Sequence, residues 1–178
     1  ERPVDCVILG TGFVVDPRVY MKNFPLEGRD GHMLSQDWKD IAQSYLGTTT
    51  TGYPNMYQLV GPNVGLGHNS IIFMIEAQVD YILSCLKVLS ENGADFIDVK
   101  PEAQDRFNVK VQEGFKNTVW TTGCTSWYQS AEGGNFALWP FSTWKFWLET
   151  RKVKESDYDF GYAKPPLLDK KKKAAATA

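Results

Sequence analysis

The sequence predicts an α/β fold in which a long helix follows a glycine-rich βα loop. Three observations carry that reading. Residues Val4 to Val15 form a short, β-branched apolar run closed by Gly10-Thr11-Gly12, the pattern of a buried strand ending in a glycine turn. Residues 56–92 read as strand, glycine loop and helix in direct succession. A second helical pattern begins at Pro101. The 178 residues, 43% of them hydrophobic, suit one domain with a buried core. We assign residues 1–163 to that domain and 164–178 to a basic tail expected to be disordered.

The elements follow in order. After the first strand, residues 16–44 are rich in turn formers such as Asp16-Pro17, Pro25, Gly28 and Gly31. Tyr53 to Val60 reads as a strand and Gly61 to Ser70 as a loop. From Ile71 to Asn92 apolar residues recur at positions 71, 72, 75, 79, 82, 83, 86 and 89, the spacing of one helical face. Asn69 or Ser70 can cap the start and Gly93 the end. Glu76, Asp80 and Lys87 interrupt the run, which excludes a membrane span there. Pro101, Glu102 and Asp105 suit the first turn of a helix running to about Phe115. Thr118 to Thr122 looks like a strand, and an aromatic segment from Trp127 to Trp147 follows.

Charge and composition narrow the function. Residues 151–178 hold eight Lys+Arg against four Asp+Glu, and the remainder holds 11 against 17. A body carrying −6 is a poor nucleic-acid binder, which needs a basic surface. Cys6, Cys85 and Cys124 are odd in number and far apart, so no disulfide framework is expected. No Asn-x-Ser/Thr acceptor occurs. These features point to a reducing, cytoplasmic compartment. Two histidines, His32 and His68, without a cysteine cluster argue against a zinc site. The missing initiator Met leads us to expect a fragment.

The unit at 56–92 has the sharpest chemistry. A helix start presents unpaired amides and about half a positive charge, and glycines admit a ligand to the backbone. The spacing Gly61-x-x-x-Gly65-x-Gly67 is neither the dinucleotide fingerprint nor a P-loop. The loop can hold an anion such as a phosphate, or it can be a tight βα turn whose glycines serve only packing. The residues leave both open.

Several segments together resemble the flavin monooxygenases. Asp5-Cys6-Val7-Ile8-Leu9-Gly10-Thr11-Gly12-Phe13 is similar to the family's "D-x-hydrophobic-hydrophobic-x-A-T-G-F", with Gly10 for Ala. Tyr45-Leu46-Gly47, Tyr53-Pro54-Asn55-Met56-Tyr57, Gly61-Pro62 and Ile75-Glu76-Ala77-Gln78 match its next motifs in order. Cys124-Thr125-Ser126-Trp127-Tyr128 and Leu138-Trp139-Pro140 resemble its closing motif, with Phe141 where Gly is usual. The nearest branch is the Baeyer–Villiger monooxygenases.

The resemblance, over residues 4–148, implies the C-terminal part of an FAD/NAD(P)-binding three-layer fold. It implies an enzyme that uses FAD, NADPH and O2 to insert one oxygen atom into a ketone or a soft heteroatom. Thr11 and Gly12 would lie near the flavin nucleotide, and Asn69, Ser70 and Ile71 would meet the flavin ring. Leu66, Gly67 and His68 would line the substrate side, with His68 in place of a usually apolar residue. The family's two G-x-G-x-x-G fingerprints, its histidine motif and its active-site Arg lie upstream of the matched region, and none is in this sequence. No catalytic residue is therefore assigned here. The partner implied is the N-terminal part of the same enzyme; the alternative is a non-catalytic remnant or interaction module.

Overall fold

The computed structural model describes residues 2–12, 15–21, 23–116, 118–121, 126–130 and 133–162. Its organising element is the long helix. Counting the helices as α1 (Pro17–Tyr20) and α2 (Leu34–Asp37), the long one is α3, Ile71–Glu91. Met74, Ala77, Gln78, Tyr81 and Cys85 form its buried face, a stripe at i, i+3, i+4 and i+7 that differs from the apolar face read from the sequence: Ile71, Ile75, Ile82 and Leu89 are half-buried and Ile72, Val79, Leu83 and Leu86 are exposed, because the packing of the rest of the chain selects the neighbouring stripe. Asn92 closes the helix and Gly93 follows at φ 61°, a left-handed exit that glycine adopts without strain.

The chain then runs through β1 (Phe96–Val99) into α4 (Pro101–Gly114). Pro101 opens α4 at its first position, where its missing N–H has no partner to lose. Farther on comes α5 (Thr143–Thr150), started by Ser142, whose hydroxyl accepts from Lys145 N. The last described element, β2 (Tyr158–Gly161), pairs antiparallel with β1 in the register Phe96–Gly161 to Val99–Tyr158.

The main core lies among α3, α4, α5 and this hairpin. Tyr81, Phe107, Val111, Phe115, Leu138, Trp139 and Phe146 meet there. Tyr45 and Phe107 pack edge to face, as do Trp139 and Phe146. A second cluster, Leu34, Trp38, Ala42, Tyr53 and Phe136, sits under residues 16–60.

Three expected strands are absent. Residues 4–12 carry no regular secondary structure and no strand pairing, and Ile8 is 92% exposed. A parallel strand needs neighbours on both sides, and the described residues form no other strand that faces it. Tyr53 to Val60 is a chain of turns. Pro54 and Asn55 occupy its central positions, Asn55 has φ 59°, and Met56 N donates to Tyr53 O at 3.2 Å, which is type II turn chemistry. Val119–Thr121 is a single 3-10 turn where a strand is expected. Thr122, Cys124 and the tail from 163 onward lie outside the described residues.

Candidate functional site

The motif residues serve first to fix the loops around α3. Leu46 and Gly47 both have positive φ (54° and 60°), and Thr48 N donates to Tyr45 O at 3.0 Å. This is a turn with two left-handed central residues. A Cβ on Gly47 would run into Val64, so glycine is required twice over. Asn55 substitutes for a strand edge. Its N–H donates to Ile97 O, its Oδ1 accepts from Ile97 N, and its Nδ2 donates to Asp95 O, all at 3.0–3.1 Å.

Gln78, fully buried on α3, ties the Gly47 turn and the backbone at Val60 to the helix. Its Nε2 donates to Gly47 O at 2.8 Å and Thr48 Oγ1 at 3.0 Å, and its Oε1 accepts from Val60 N at 2.9 Å. Val60 is held at φ 54°, an unfavourable conformation for a β-branched residue.

The glycine loop divides into two halves. Its first half is packed. Asn63, 1% exposed, donates to Asn135 O and Leu138 O. Gly65 N donates to Ala137 O, and Trp139 N to Gly65 O, both at 2.8 Å. A Cβ on Gly61 would collide with Gly47 O, and one on Gly65 would stand 2.7 Å from Ala137 O. At these two positions the packing alternative is therefore the correct one.

The second half is open. Gly67, His68, Asn69 and Ser70 are exposed, Ile71 is half-buried, and Leu66 is half-buried below them. Asn69 Oδ1 accepts from Ser70 N at 2.8 Å and its Nδ2 donates to Thr143 Oγ1 at 3.1 Å. The Ser70 hydroxyl makes no cap bond, so it leaves the first-turn amides of α3 to whatever lies in front of them. Trp120 stands against Gly67, 3.0 Å from where a Cβ would lie.

Beside the loop is a cavity of 570 Å³. Leu59, Val60, Leu66, Trp127, Phe136 and Leu138 give it a mainly apolar wall, and Trp38 and Gln58 contribute polar atoms. Trp38 is 2% exposed, and its buried indole N–H meets no acceptor among the described residues. The sequence reading missed both the cavity and Trp38, because residues 38, 58 and 136 converge only through tertiary packing.

The structure brings Leu66, Gly67, His68, Asn69, Ser70 and Ile71 together by sequence. Thr11 and Gly12 are exposed, on a segment that lines none of the cavities described here. Among the described residues no three His, Cys, Asp or Glu side chains group as a metal site. No helix among them is long and apolar enough to cross a membrane.

Other titratable groups are structural. Cys85 is buried beside Tyr81 and Tyr158, and desolvation pushes its thiol up to about 12. The hydroxyls of Tyr81 and Tyr158 share a 2.8 Å hydrogen bond, and burial raises both well above the usual phenol range. Burial likewise raises the Asp98 carboxyl, against the opposing pull of Gly52 N–H at 3.0 Å and Arg29 at 3.4 Å.

With this geometry in hand, comparison with known proteins is informative. Solved monooxygenases share the fold. A steroid monooxygenase bound to NADP superposes with a TM-score of 0.69 at 23% identity, over 78% of this chain and 27% of its own. A closed cyclohexanone monooxygenase gives 0.66 at 25% identity, over 77% and 27%. The fold is thus that of a segment of these enzymes. In sequence, a Baeyer–Villiger monooxygenase of Pseudomonas aeruginosa is 41% identical over 160 residues, 89% of this chain and 30% of the relative. One of Streptomyces coelicolor is 40% identical over the same shares. An FAD-binding monooxygenase of Aspergillus terreus is 31% identical over 166 residues, 91% of this chain and 29% of the relative. No family profile matches the chain. The chain corresponds to a portion of a Baeyer–Villiger-type flavin monooxygenase and spans about 30% of the length of these curated relatives.

Proposed function

We propose that this chain forms the C-terminal, flavin-facing part of an FAD- and NADPH-dependent monooxygenase that inserts one oxygen atom from O2 into a small ketone or a soft heteroatom. One observation carries the reading: the open amide end of the 21-residue helix α3 stands next to an apolar cavity that Leu66 helps to line.

The residues suit the group. Asn69, Ser70 and Ile71 would hold the flavin ring at its pyrimidine edge, where the positive helix end favours negative charge. Thr143 fixes the Asn69 side chain through its 3.1 Å bond, so the mouth is pre-shaped. Leu66 belongs to the cavity wall, and Gly67 and His68 border the substrate side. Thr11 and Gly12 would reach the flavin nucleotide once their segment joins a sheet. Bound FAD, reduced by NADPH, would supply the oxygen chemistry; the residues of this chain position, desolvate and exclude water. The dinucleotide fingerprints would come from the N-terminal part of the enzyme.

The test is reconstitution. The gene product that contains this segment with its upstream sequence, or this chain co-expressed with that sequence, should show flavin absorbance and ketone-dependent NADPH consumption. Ile71→Pro, which removes the first open amide of α3 at a position where proline suits a helix, should weaken flavin retention while the far-UV spectrum stays unchanged. A folded full-length product without bound flavin would overturn the proposal. It would favour the non-catalytic module, for which the absence of any G-x-G-x-x-G from this sequence is the supporting observation.

A further inference from the structure

The aromatic segment and the basic end of the sequence meet on α5, outside the site just described. Thr143, Phe146 and Thr150 face the core. On the outer side Trp144 is 59% and Leu148 54% exposed, one helical turn apart. The Trp144 and Trp147 rings stack at 4.5 Å with an interplanar angle of 21°. Arg151 lies 4.4 Å over the Trp147 ring, and Lys145 lies 3.6 Å over Phe141. Residues 143–152 carry three cations, Lys145, Arg151 and Lys152, against one acid. That acid, Glu149, is already paired with Lys110. Asp80 of α3 shares a small cavity with Trp147 and Arg151 on the inner side of the patch.

We propose that this face of α5 docks the protein onto an anionic phospholipid surface. Stacked indoles beside an exposed Leu suit the headgroup boundary, where amphipathic rings are favoured. Cations around them attract acidic headgroups, and the effect is local. Residues 1–150 carry −6, so the bulk of the chain repels such a surface, and the local excess of Lys145, Arg151 and Lys152 over the already paired Glu149 is what turns this face toward it. The patch is one short helix, which fits shallow insertion rather than spanning. The proposal does not rest on the oxygenase reading.

The experiment uses the gene product that contains this segment with its upstream sequence, with vesicles of phosphatidylcholine alone and of phosphatidylcholine doped with phosphatidylserine. Co-sedimentation and a blue shift in tryptophan emission are expected with the anionic vesicles only, and both should decline with added salt. R151E/K152E should lower partitioning by roughly tenfold or more. W144S/L148S should abolish the emission shift. Both pairs are at the surface, so circular dichroism should stay unchanged. L83S/L86S, on the exposed apolar stripe of α3, should bind as the unmodified chain does. Equal binding to neutral vesicles, binding indifferent to the α5 variants, or no binding would overturn the proposal. So would retention on soluble polyglutamate in place of vesicles with the same variant dependence, which would make the partner an acidic protein.

Discussion

Replacing Gln78 by leucine tests the claim that one buried amide holds the loops on α3. The substitution keeps the volume and removes four polar contacts: donors to Gly47 O, Thr48 Oγ1 and, at 3.5 Å, Gln58 O, and the acceptor for Val60 N. Thr48 loses little, because its hydroxyl still donates to Leu46 O at 2.9 Å. Gly47 O is left without its donor, at a cost of about 1–3 kcal/mol. The Val60 amide is nearer solvent and costs about 1 kcal/mol. The sum is roughly 2–4 kcal/mol, a sizeable part of the 5–15 kcal/mol that holds a typical domain together. For a chain of this size it should lower Tm by roughly 5–15 °C. Thermal and urea melts followed by circular dichroism measure it. Gln78→Glu sharpens the test. A buried carboxylate facing Gly47 O has its pKa raised above the unfolded value of about 4.3, so the variant should regain stability as pH falls through the folded pKa and lose it above. A loss below about 1 kcal/mol for Gln78→Leu, with no pH dependence for Gln78→Glu, would refute the reasoning.

Five further outcomes are expected. Val60→Gly should stabilise the chain by about 1 kcal/mol in urea melts, because it relieves a left-handed β-branched residue that is 43% exposed. In native alkylation at pH 8, resolved by mass spectrometry, exposed Cys6 should label at once and Cys85 only on unfolding. The Cys85 thiol sits at about 12 in the fold against 9.0 for a free thiol, so its contribution to stability should fade as pH climbs from 9 toward 12. Asp98→Asn keeps an acceptor for Gly52 N–H and removes a charge that burial disfavours. The variant should gain on the unmodified chain as pH rises from 3.8 through the raised folded pKa, read from paired melts at pH 4 and 7. Finally, the isolated chain should self-associate, since Ile72, Val79, Leu83 and Leu86 form an exposed apolar stripe on α3 and Val7, Ile8 and Leu9 are bare; sedimentation should show species above the monomer mass, and a sharp monomeric melt would contradict this.

The long helices were legible because their signals are local. Apolar spacing and Gly93 marked α3, and Pro101 and its acidic first turn marked α4. The strands were not legible. Val4–Val15 has strand composition, yet composition cannot supply a pairing partner. Tyr53 to Val60 has β formers, but Pro54-Asn55 fixes a turn. β1 and β2 escaped notice because each has four residues and they pair across 60 residues of sequence. In the candidate site, the open residues 66–71 were readable from a glycine loop ahead of a helix. The packed role of Gly61 and Gly65 was not, because it depends on what approaches them.

The order of residues alone determined the two long helices, the acidic body with a basic end, and the kinship with flavin monooxygenases. These depend on neighbours a few positions apart or on motifs in series. Tertiary structure decided the turns around Gly47 and Asn55, which face of α3 is buried, which glycines face protein and which face open space, that Gln78 binds the Gly47 turn and Val60 to one helix, and that Trp38 borders a cavity. It also decided that Trp144 and Leu148 face outward. Burial and hydrogen-bond pairing are properties of the space around a side chain, and that space is shared by residues that the chain itself keeps far apart.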